Sequence, residues 1–379
     1  MKRFPGSVTM VFTAMISAAA WLGLCAGAGR AGLVNYEMVT VADEGNAPDT
    51  TGYGAVDYEY RIGKYDVTVG QYAAFLNAVA ADDTYGLYNT QMSDYPNTAG
   101  IARSGSSGSY AYSVIDNSGS SENRPITWVS WFDAARFANW MANGQPVGAQ
   151  VKTTTEDGAY SLNGALGGDA PARNTIHPNA NVAPPFWIPS ENAWYKAAYY
   201  SPLKGGAGLS GYWSFATQSD TAPGHEIGDA PNQANYYFGP YVGSYPNGEY
   251  TTGGGTYSYW QNYLTDVGAF TGSASFYGTF DQSGNVTQWN DLDGLPGPLR
   301  GLRGGHWNCS YDPFYLSAAG RYWYDPSHEN EDYFGAVGIR LAGPAALGVP
   351  EIDPGGAGRV MAIVAGVIAL VERRRRPLA

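Results

Sequence analysis

The sequence predicts an α+β domain with little regular secondary structure and long loops. About a fifth of the 379 residues are turn-favouring, with 51 Gly and 23 Pro. The 30 Tyr, 13 Phe and 11 Trp are enough to build a hydrophobic core, so low complexity does not explain the glycine content. Few segments have the periodicity of regular elements and no internal repeat is present, which is typical of irregular α+β domains.

Three segments have the apolar spacing of amphipathic helices, in which side chains at i, i+3, i+4 and i+7 share a face. They run over 69–76, 134–141 and about 191–200. Ser130 precedes the second segment, and Asp133 follows three residues later. This capping-box pattern predicts where the second helix begins.

The predicted strands are short and separated by long stretches rich in Gly, Ser, Asn and Tyr. We expect strands at 59–65, 304–307, 316–319 and 337–341. We expect long loops at 82–123, 142–184 and 201–265.

The charge is unevenly distributed along the chain. The formal net charge is −12, while residues 1–31 carry +3 and residues 351–379 carry +2, which leaves −17 for the region between them. An acidic body repels phosphate backbones, so no nucleic-acid partner is expected. It favours cations such as calcium.

Residues 1–31 have the layout of a secretory signal peptide. Basic residues at the start precede an apolar run over 8–24, and small residues follow. The alternatives are a buried N-terminal helix and a lipoprotein signal at Cys25. If Cys25 leaves with the signal, Cys309 is the one cysteine of the mature chain, and an intramolecular disulfide is excluded.

Residues 343–379 resemble the PEP-CTERM sorting signal of exported bacterial proteins. A Pro-Glu pair at 350–351 precedes an apolar run over 360–371 and four arginines at 373–376. Twelve helical residues span about 18 Å, which is short for a permanent membrane anchor. The resemblance implies processing by an exosortase-type membrane protease and delivery to the cell surface, with membrane contact only through the terminal segments and transient anchoring at the C-terminus. The alternative is a chance hydrophobic tail.

Five segments resemble, in order, the formylglycine-generating enzyme family (sulfatase-modifying factor domain). They are KYDVTVGQY at 64–72, RPITWVSWFDAA at 124–135, WIPSENAWYKAA at 187–198, FDQSGNVTQW at 280–289 and LRGGHW at 302–307, closed by GIR at 338–340. The resemblance places this domain at 60–342, after a lead-in at 32–59. It implies a variant of the C-type-lectin-like fold with structural calcium.

The resemblance also implies an oxidase chemistry that this chain lacks the residues to perform. Active members use oxygen and copper to oxidise a sulfatase cysteine to formylglycine. Two cysteine thiolates, five residues apart, bind the copper. Cys309 matches the first thiolate position, but Phe314 stands at the second. Copper and formylglycine generation are therefore not expected.

Two further substitutions change the family pocket. His306 replaces a serine, and Ala336 replaces an asparagine. His306 and Cys309, three residues apart, can bind one metal or form a thiolate–imidazolium pair, and are the candidate catalytic residues. The alternative is a cysteine that packs as a small buried hydrophobe beside a histidine that only donates or accepts hydrogen bonds.

The resemblance implies two calcium sites built from oxygen ligands. The matching positions are Asp281, Gly284, Val286 and Gln288 for the first site, and Asn235 and Tyr236 for part of the second. Gln288 replaces a glutamate of the family, which removes one negative charge. The alternative for this loop is a turn held by hydrogen bonds without metal.

Three arginines, Arg303, Arg321 and Arg340, stand at arginine positions of the family. We expect buried salt bridges to core acids, and the alternative is a role in substrate binding.

Two functions remain open. The first is an exported binding or structural module, such as an envelope or matrix component, whose aromatic loops present a saccharide-binding or protein-binding surface. The second is a divergent oxidase or metal-dependent enzyme that uses His306 and Cys309.

Overall fold

The computed structural model describes residues 33–239, 241–242, 245–246, 248–309, 313–329 and 336–345. The predicted signal peptide and nearly all of the predicted sorting signal lie outside these residues. The chain divides into two units, Met1–Asn35 and Tyr36–Ala379, and the following description concerns the second unit. No helix in the described part of the chain combines the length and the apolar character needed to span a membrane.

The helices are few and short. They are α1 (Val69–Val79), α2 (Gln91–Asp94), α3 (Trp131–Ala142) and α4 (Glu191–Tyr199), with a π-helical turn at Lys152–Glu156 and a 3₁₀ turn at Pro313–Leu316. The three predicted helices are confirmed as α1, α3 and α4. The predicted capping box is also confirmed, because Ser130 Oγ accepts the Asp133 N–H at 3.1 Å and the Asp133 carboxylate accepts the Ser130 N–H at 2.9 Å.

Fifteen short strands are described. They are β1 (Met38–Val41), β2 (Tyr60–Gly63), β3 (Ile101–Ser104), β4 (Ala111–Val114), β5 (Tyr200–Ser201), β6 (Gly211–Tyr212), β7 (Tyr237–Phe238), β8 (Tyr241–Val242), β9 (Tyr245–Pro246), β10 (Glu249–Tyr250), β11 (Thr287–Asn290), β12 (Arg300–Arg303), β13 (Tyr322–Tyr324), β14 (Val337–Gly338) and β15 (Ala342–Pro344). Few helices and many short strands confirm the mixed α and β class with little regular structure.

Two small sheets organise the domain. One has the strand order β13-β12-β11-β14, in which β11 pairs antiparallel with β12 and parallel with β14. In this register Gln288 lies opposite Arg303 and beside Gly338. The other sheet has the order β1-β2-β15 and joins the lead-in to the end of the domain.

Several predicted strands are wrong or shorter than expected. No strand forms at the predicted 304–307. The preceding strand β12 ends at Arg303, because Gly304 and Gly305 have φ values of +101° and +66°, which a strand does not tolerate. The segment 316–319 contains the end of a 3₁₀ turn and an isolated bridge from Ser317 to Phe215, not a strand. The strand predicted at 337–341 is reduced to β14, while the one predicted at 59–65 is confirmed as β2.

Aromatic side chains fill the contact between α1 and α3. The rings of Phe75 and Phe137 meet edge to face at 5.3 Å, and Tyr72 and Trp140 pack against the same pair. All four side chains are nearly inaccessible to solvent. Burying a side chain of this size contributes about 1.5–3 kcal/mol to folding, so this contact anchors the helical side of the domain.

Candidate functional site

The end of β12 positions the candidate catalytic residues. After Arg303 the chain turns through Gly304 and Gly305, and the Gly284 N–H donates to the Gly304 carbonyl at 2.7 Å. A Cβ on Gly305 would lie 3.0 Å from the Tyr315 carbonyl oxygen and 3.2 Å from Cys309 Sγ. Only glycine fits this close approach with a positive φ, so the pair of glycines ends β12 and begins the turn that carries residues 306–309.

His306 and Cys309 share one tight turn, as their spacing predicts. The Cys309 N–H donates to the His306 carbonyl at 2.9 Å, and Cys309 Sγ accepts the His306 N–H at 3.1 Å. The thiol is 8% exposed and packs with apolar or aromatic side chains of other segments, namely Phe215, Ala234, Tyr236 and Leu316. This environment is the one that the alternative interpretation, a small buried hydrophobe, requires.

The imidazole of His306 is neutral at pH 7. Burial lowers its pKa to about 4, and its Nδ1 accepts the Asn308 N–H at 3.2 Å. A neutral ring supplies no positive charge to stabilise a thiolate at Cys309. Among the residues that the structure describes, no three His, Cys, Asp or Glu side chains are grouped so that they would hold a metal ion.

The position of the second family thiolate lies in the 3₁₀ turn at Pro313–Leu316. Phe314 is 46% exposed there, and its ring meets Tyr315 edge to face at 5.7 Å. Ala336 is fully buried, and its carbonyl accepts the Thr287 N–H at 2.8 Å. A site that needs two soft thiolates is not matched by one buried thiol and an aromatic ring, so these residues do not fit copper.

Gln288, a predicted calcium ligand, is buried at the centre of a hydrogen-bond network. Its Oε1 accepts from Trp194 Nε1 at 2.8 Å and from Arg340 Nε at 2.9 Å, and its Nε2 donates to the Asp281 carbonyl at 2.8 Å. A calcium ion at Oε1 would have to share this oxygen with a guanidinium cation, which is electrostatically unfavourable. The carboxamide therefore does not fit a calcium ligand in this arrangement.

The loop that leads into β11 is held by its own contacts. Asp281 Oδ2 accepts the Gly268 N–H at 2.7 Å, and burial raises the pKa of this carboxyl to about 6 although Arg340 lies nearby. Gly284, at φ +92°, passes so close to the Asn235 backbone that a Cβ would collide with it, and Val286 is fully buried. The two predicted calcium loops are therefore packed against each other.

Asn235 and Tyr236 contribute the other side of this contact. The Asn235 carbonyl accepts the Asn285 N–H at 2.8 Å, and Asn235 Nδ2 donates to Asn285 Oδ1 and to the Tyr263 carbonyl, both at 2.9 Å. The Tyr236 carbonyl lies 3.5 Å from Thr251 Oγ1. These contacts correspond to the alternative of a turn held by hydrogen bonds. Calcium stays a prediction for Asp281, Gly284, Val286, Asn235 and Tyr236.

The three arginines make the ion pairs that their positions predict. Glu191, at the start of α4, pairs with Arg303 Nη2 at 2.7 Å and with Arg321 Nε at 2.6 Å. Arg340 pairs with Asp66 at 3.2 Å. Arg321 is the partly exposed member of the three, and the other two are buried. The sequence predicts that these arginines pair with buried acids, but it does not identify Glu191 and Asp66 as the partners.

A partly open cavity of about 380 Å³ lies outside all of the predicted site residues. Its lining comes from three distant segments, 49–51, 212–214 and 317–319, together with Lys204. No local pattern signals such a site, because the lead-in and two loops build it jointly.

Comparison with known proteins identifies one matching family. The Sulfatase-modifying factor enzyme 1-like domain matches residues 32–344. No curated protein gives a significant match to the sequence. Two similar solved structures are CarF, at 19% identity over 82% of this chain and 99% of that chain with a TM-score of 0.43, and Treponema denticola variable protein 1, at 19% identity over 83% of this chain and 97% of that chain with a TM-score of 0.41.

Proposed function

Because this chain belongs to the sulfatase-modifying factor enzyme 1-like domain family, we propose that it is an exported, surface-sorted member that does not generate formylglycine. In this proposal the domain is a binding or structural module. The proposal includes a C-type-lectin-like arrangement, in which short strands and helices support long loops that are free to diverge in sequence.

The observation that carries the proposal is the state of Cys309 and Phe314. The family chemistry needs two thiolates at these positions, and a half-exposed phenyl ring stands at the second. The thiol that remains is 8% exposed in an apolar cluster, beside an imidazole that burial keeps neutral at pH 7. This combination supports loss of the oxidase activity.

Export and surface sorting rest on the two ends of the chain. The signal peptide is proposed at 1–31, and the PEP-CTERM-like segment at 343–379 is proposed as the substrate of an exosortase-type enzyme. Mass spectrometry of the mature protein from its native envelope tests both proposals. Cleavage near residue 31 and near residue 350 is the expected result, and an intact chain in the cytoplasm would contradict it.

The alternative is a divergent oxidase or metal-dependent enzyme at His306 and Cys309. One observation favours it, the contact of 3.1 Å between Cys309 Sγ and the backbone N–H of His306, which places both residues in one turn. Burial of both groups opposes it.

A direct assay separates the two functions. The purified chain is loaded with Cu(I) and incubated with oxygen and a cysteine-containing sulfatase peptide, and aldehyde formation is followed by hydrazide labelling. An active formylglycine-generating enzyme is the positive control. We expect no aldehyde above background. Oxygen-dependent aldehyde that disappears in Cys309→Ser would overturn the proposal and favour the enzyme.

A further inference from the structure

The cavity of about 380 Å³ has the size and lining of a small-molecule site. Pockets that hold small ligands typically measure about 300–1,000 Å³ and combine aromatic surface with a few polar groups. Here Tyr212 and Trp213 supply aromatic rings, Asp49 and Lys204 supply charges, and hydroxyl groups make up most of the remaining polar lining.

The charges of the lining oppose a charged ligand. Lys204 Nζ pairs with Asp220 Oδ1 at 2.8 Å and donates to the Tyr212 carbonyl, so the ammonium is held in place by a pair whose Asp220 side chain is 51% exposed. Asp49 accepts the Thr50 N–H at 2.7 Å and a hydrogen bond from the Tyr195 hydroxyl. An anionic ligand would meet the Asp49 carboxylate, and a cationic ligand would meet the Lys204 ammonium. A neutral ligand avoids both repulsions.

The hydroxyl groups of the lining present acceptors. Thr50 Oγ1 donates to Asp49 at 3.3 Å, Ser214 Oγ donates to Asp220 at 3.1 Å, and Ser317 Oγ donates to the Phe314 carbonyl at 2.7 Å. A hydroxyl has one hydrogen and two lone pairs, so each of these oxygens retains acceptor capacity after donating inward. The matching ligand is one with many O–H donors.

The aromatic part of the lining suits the apolar C–H face of a sugar ring. Trp213 is partly exposed, and Lys204 Nζ lies 4.9 Å from the centre of its ring. Its backbone N–H donates to the Tyr199 carbonyl at 2.8 Å, which ties the Trp213 backbone to the end of α4. The ring is held by its contact with the Lys204 ammonium, and its exposed part is a surface for an amphipathic ligand.

We propose that this cavity is a binding site for a neutral saccharide, which packs on Trp213 and donates hydroxyl hydrogens to Asp49, Thr50, Ser214 and Ser317. The inference deepens the proposed function, on which it rests, because it gives the binding module a ligand class and a location. It uses none of the residues at His306 or Cys309.

Titration of the purified full-length chain tests the proposal. The probes are glucose, galactose, mannose, maltose and cellobiose, with glucosamine and galacturonate as charged counterparts, and binding is followed by calorimetry and tryptophan fluorescence. We expect at least one neutral sugar to saturate the protein with a Kd in the millimolar range or tighter, and the charged sugars to bind about tenfold more weakly or worse. Failure of every neutral sugar to bind at about 100 mM would overturn the proposal.

Matched variants locate the site. Trp213→Ala should weaken binding about tenfold or more, and Thr50→Val, at an exposed position that tolerates the change, should weaken it severalfold. The controls are Trp260→Ala, which removes a 76% exposed tryptophan outside this cavity, and Thr40→Val on β1. Equal losses in the controls, or an unchanged Kd in both cavity variants, would overturn the location while leaving a binding module intact. Aldehyde formation in the copper assay would instead overturn the proposed function and leave the sugar result standing.

Discussion

At the residue scale, the candidate catalytic pair is a buried turn. Cys309 Sγ receives a backbone N–H from His306, and the ring of His306 is 4% exposed. A nucleophilic cysteine needs an exposed, electropositive environment to form its thiolate, and a neutral buried imidazole does not provide one. The two side chains are therefore better suited to holding the turn after Gly305 than to catalysis.

The protonation of His306 predicts how stability depends on pH. Burial lowers the pKa of this ring from the ordinary value of 6.5 to about 4, so the unfolded chain binds a proton that the folded chain does not between these pH values. The contribution of the neutral ring to the free energy of unfolding is fully present above about pH 6.5 and is lost as the pH falls to about 4. We expect the free energy of unfolding of the wild type, relative to His306→Asn, to fall by on the order of 3 kcal/mol over this window. Urea denaturation of both proteins from pH 7 to pH 4 measures this change. A difference in the free energy of unfolding that stays constant over this range would contradict the burial of a neutral ring.

The sequence could predict the proximity of this pair but not its environment. A spacing of three residues brings His306 and Cys309 together in any tight turn. The burial of Cys309 depends on Phe215, Ala234 and Leu316, which come from three other segments. No local pattern reports such contacts, so the choice between a reactive and an inert cysteine stayed open until the fold was known.

At the element scale, one acid joins α4 to β12 and β13. Glu191 lies at the first position of α4, and its carboxylate binds Arg303 of β12 and Arg321, which directly precedes β13. The carboxylate is buried, while the rings of Tyr53 and Tyr195 lie over the guanidinium of Arg303. The sheet and the helix therefore share one charge network.

Removal of the Glu191 charge should destabilise the domain strongly. Glu191→Gln leaves the buried Arg303 without its counter-ion, and breaking a buried pair in this way costs about 3–5 kcal/mol. The matched control is Glu37→Gln, which breaks the exposed pair with Lys64 and should cost no more than about 1 kcal/mol. Urea denaturation compares the two variants, and similar small losses in both would contradict a structural role for Glu191.

Calcium should bind the loop before β11 through the predicted ligands other than Gln288. Gln288 Oε1 already accepts hydrogen bonds from Trp194 and Arg340, and its Nε2 binds the Asp281 carbonyl. We expect saturating calcium to raise the thermal midpoint above that in chelator, because an ion that binds the folded state stabilises it. The rise should disappear in Asp281→Asn. An unchanged midpoint in the wild type would contradict a calcium site here and favour the alternative of a turn held by hydrogen bonds without metal.

Regular elements with strong periodicity were predictable, and irregular ones were not. The helices α1, α3 and α4 follow from apolar spacing and from the cap at Ser130. The hairpin of β3 and β4 was missed within the predicted loop 82–123, because strands of four residues carry too little alternation to distinguish them from loop. The strand β12 was predicted four residues late, because the prediction included the Gly304-Gly305 pair, which lies after the end of the strand.

At the scale of the whole molecule, the family model matches nearly all of the acidic region between the two terminal segments. The matched residues 32–344 include the lead-in, which pairs with β15 through β2 and contributes Asp49 and Thr50 to the cavity. Long-range contacts of this kind could not be predicted from the sequence, because the cavity segments lie more than a hundred residues apart along the chain. The absence of a second thiolate at Phe314 could be predicted, since it needs only the family spacing.

The affinity of the chain for Cu(I) tests the central claim most directly. In a Cys25→Ser background, anaerobic competition with a chromogenic Cu(I) chelator compares the protein with its Cys309→Ser variant. Because one buried thiol cannot form a two-thiolate site, we expect both proteins to lose Cu(I) to the chelator equally. Retention of one equivalent of Cu(I) by the protein with Cys309, and its loss in Cys309→Ser, would contradict the account.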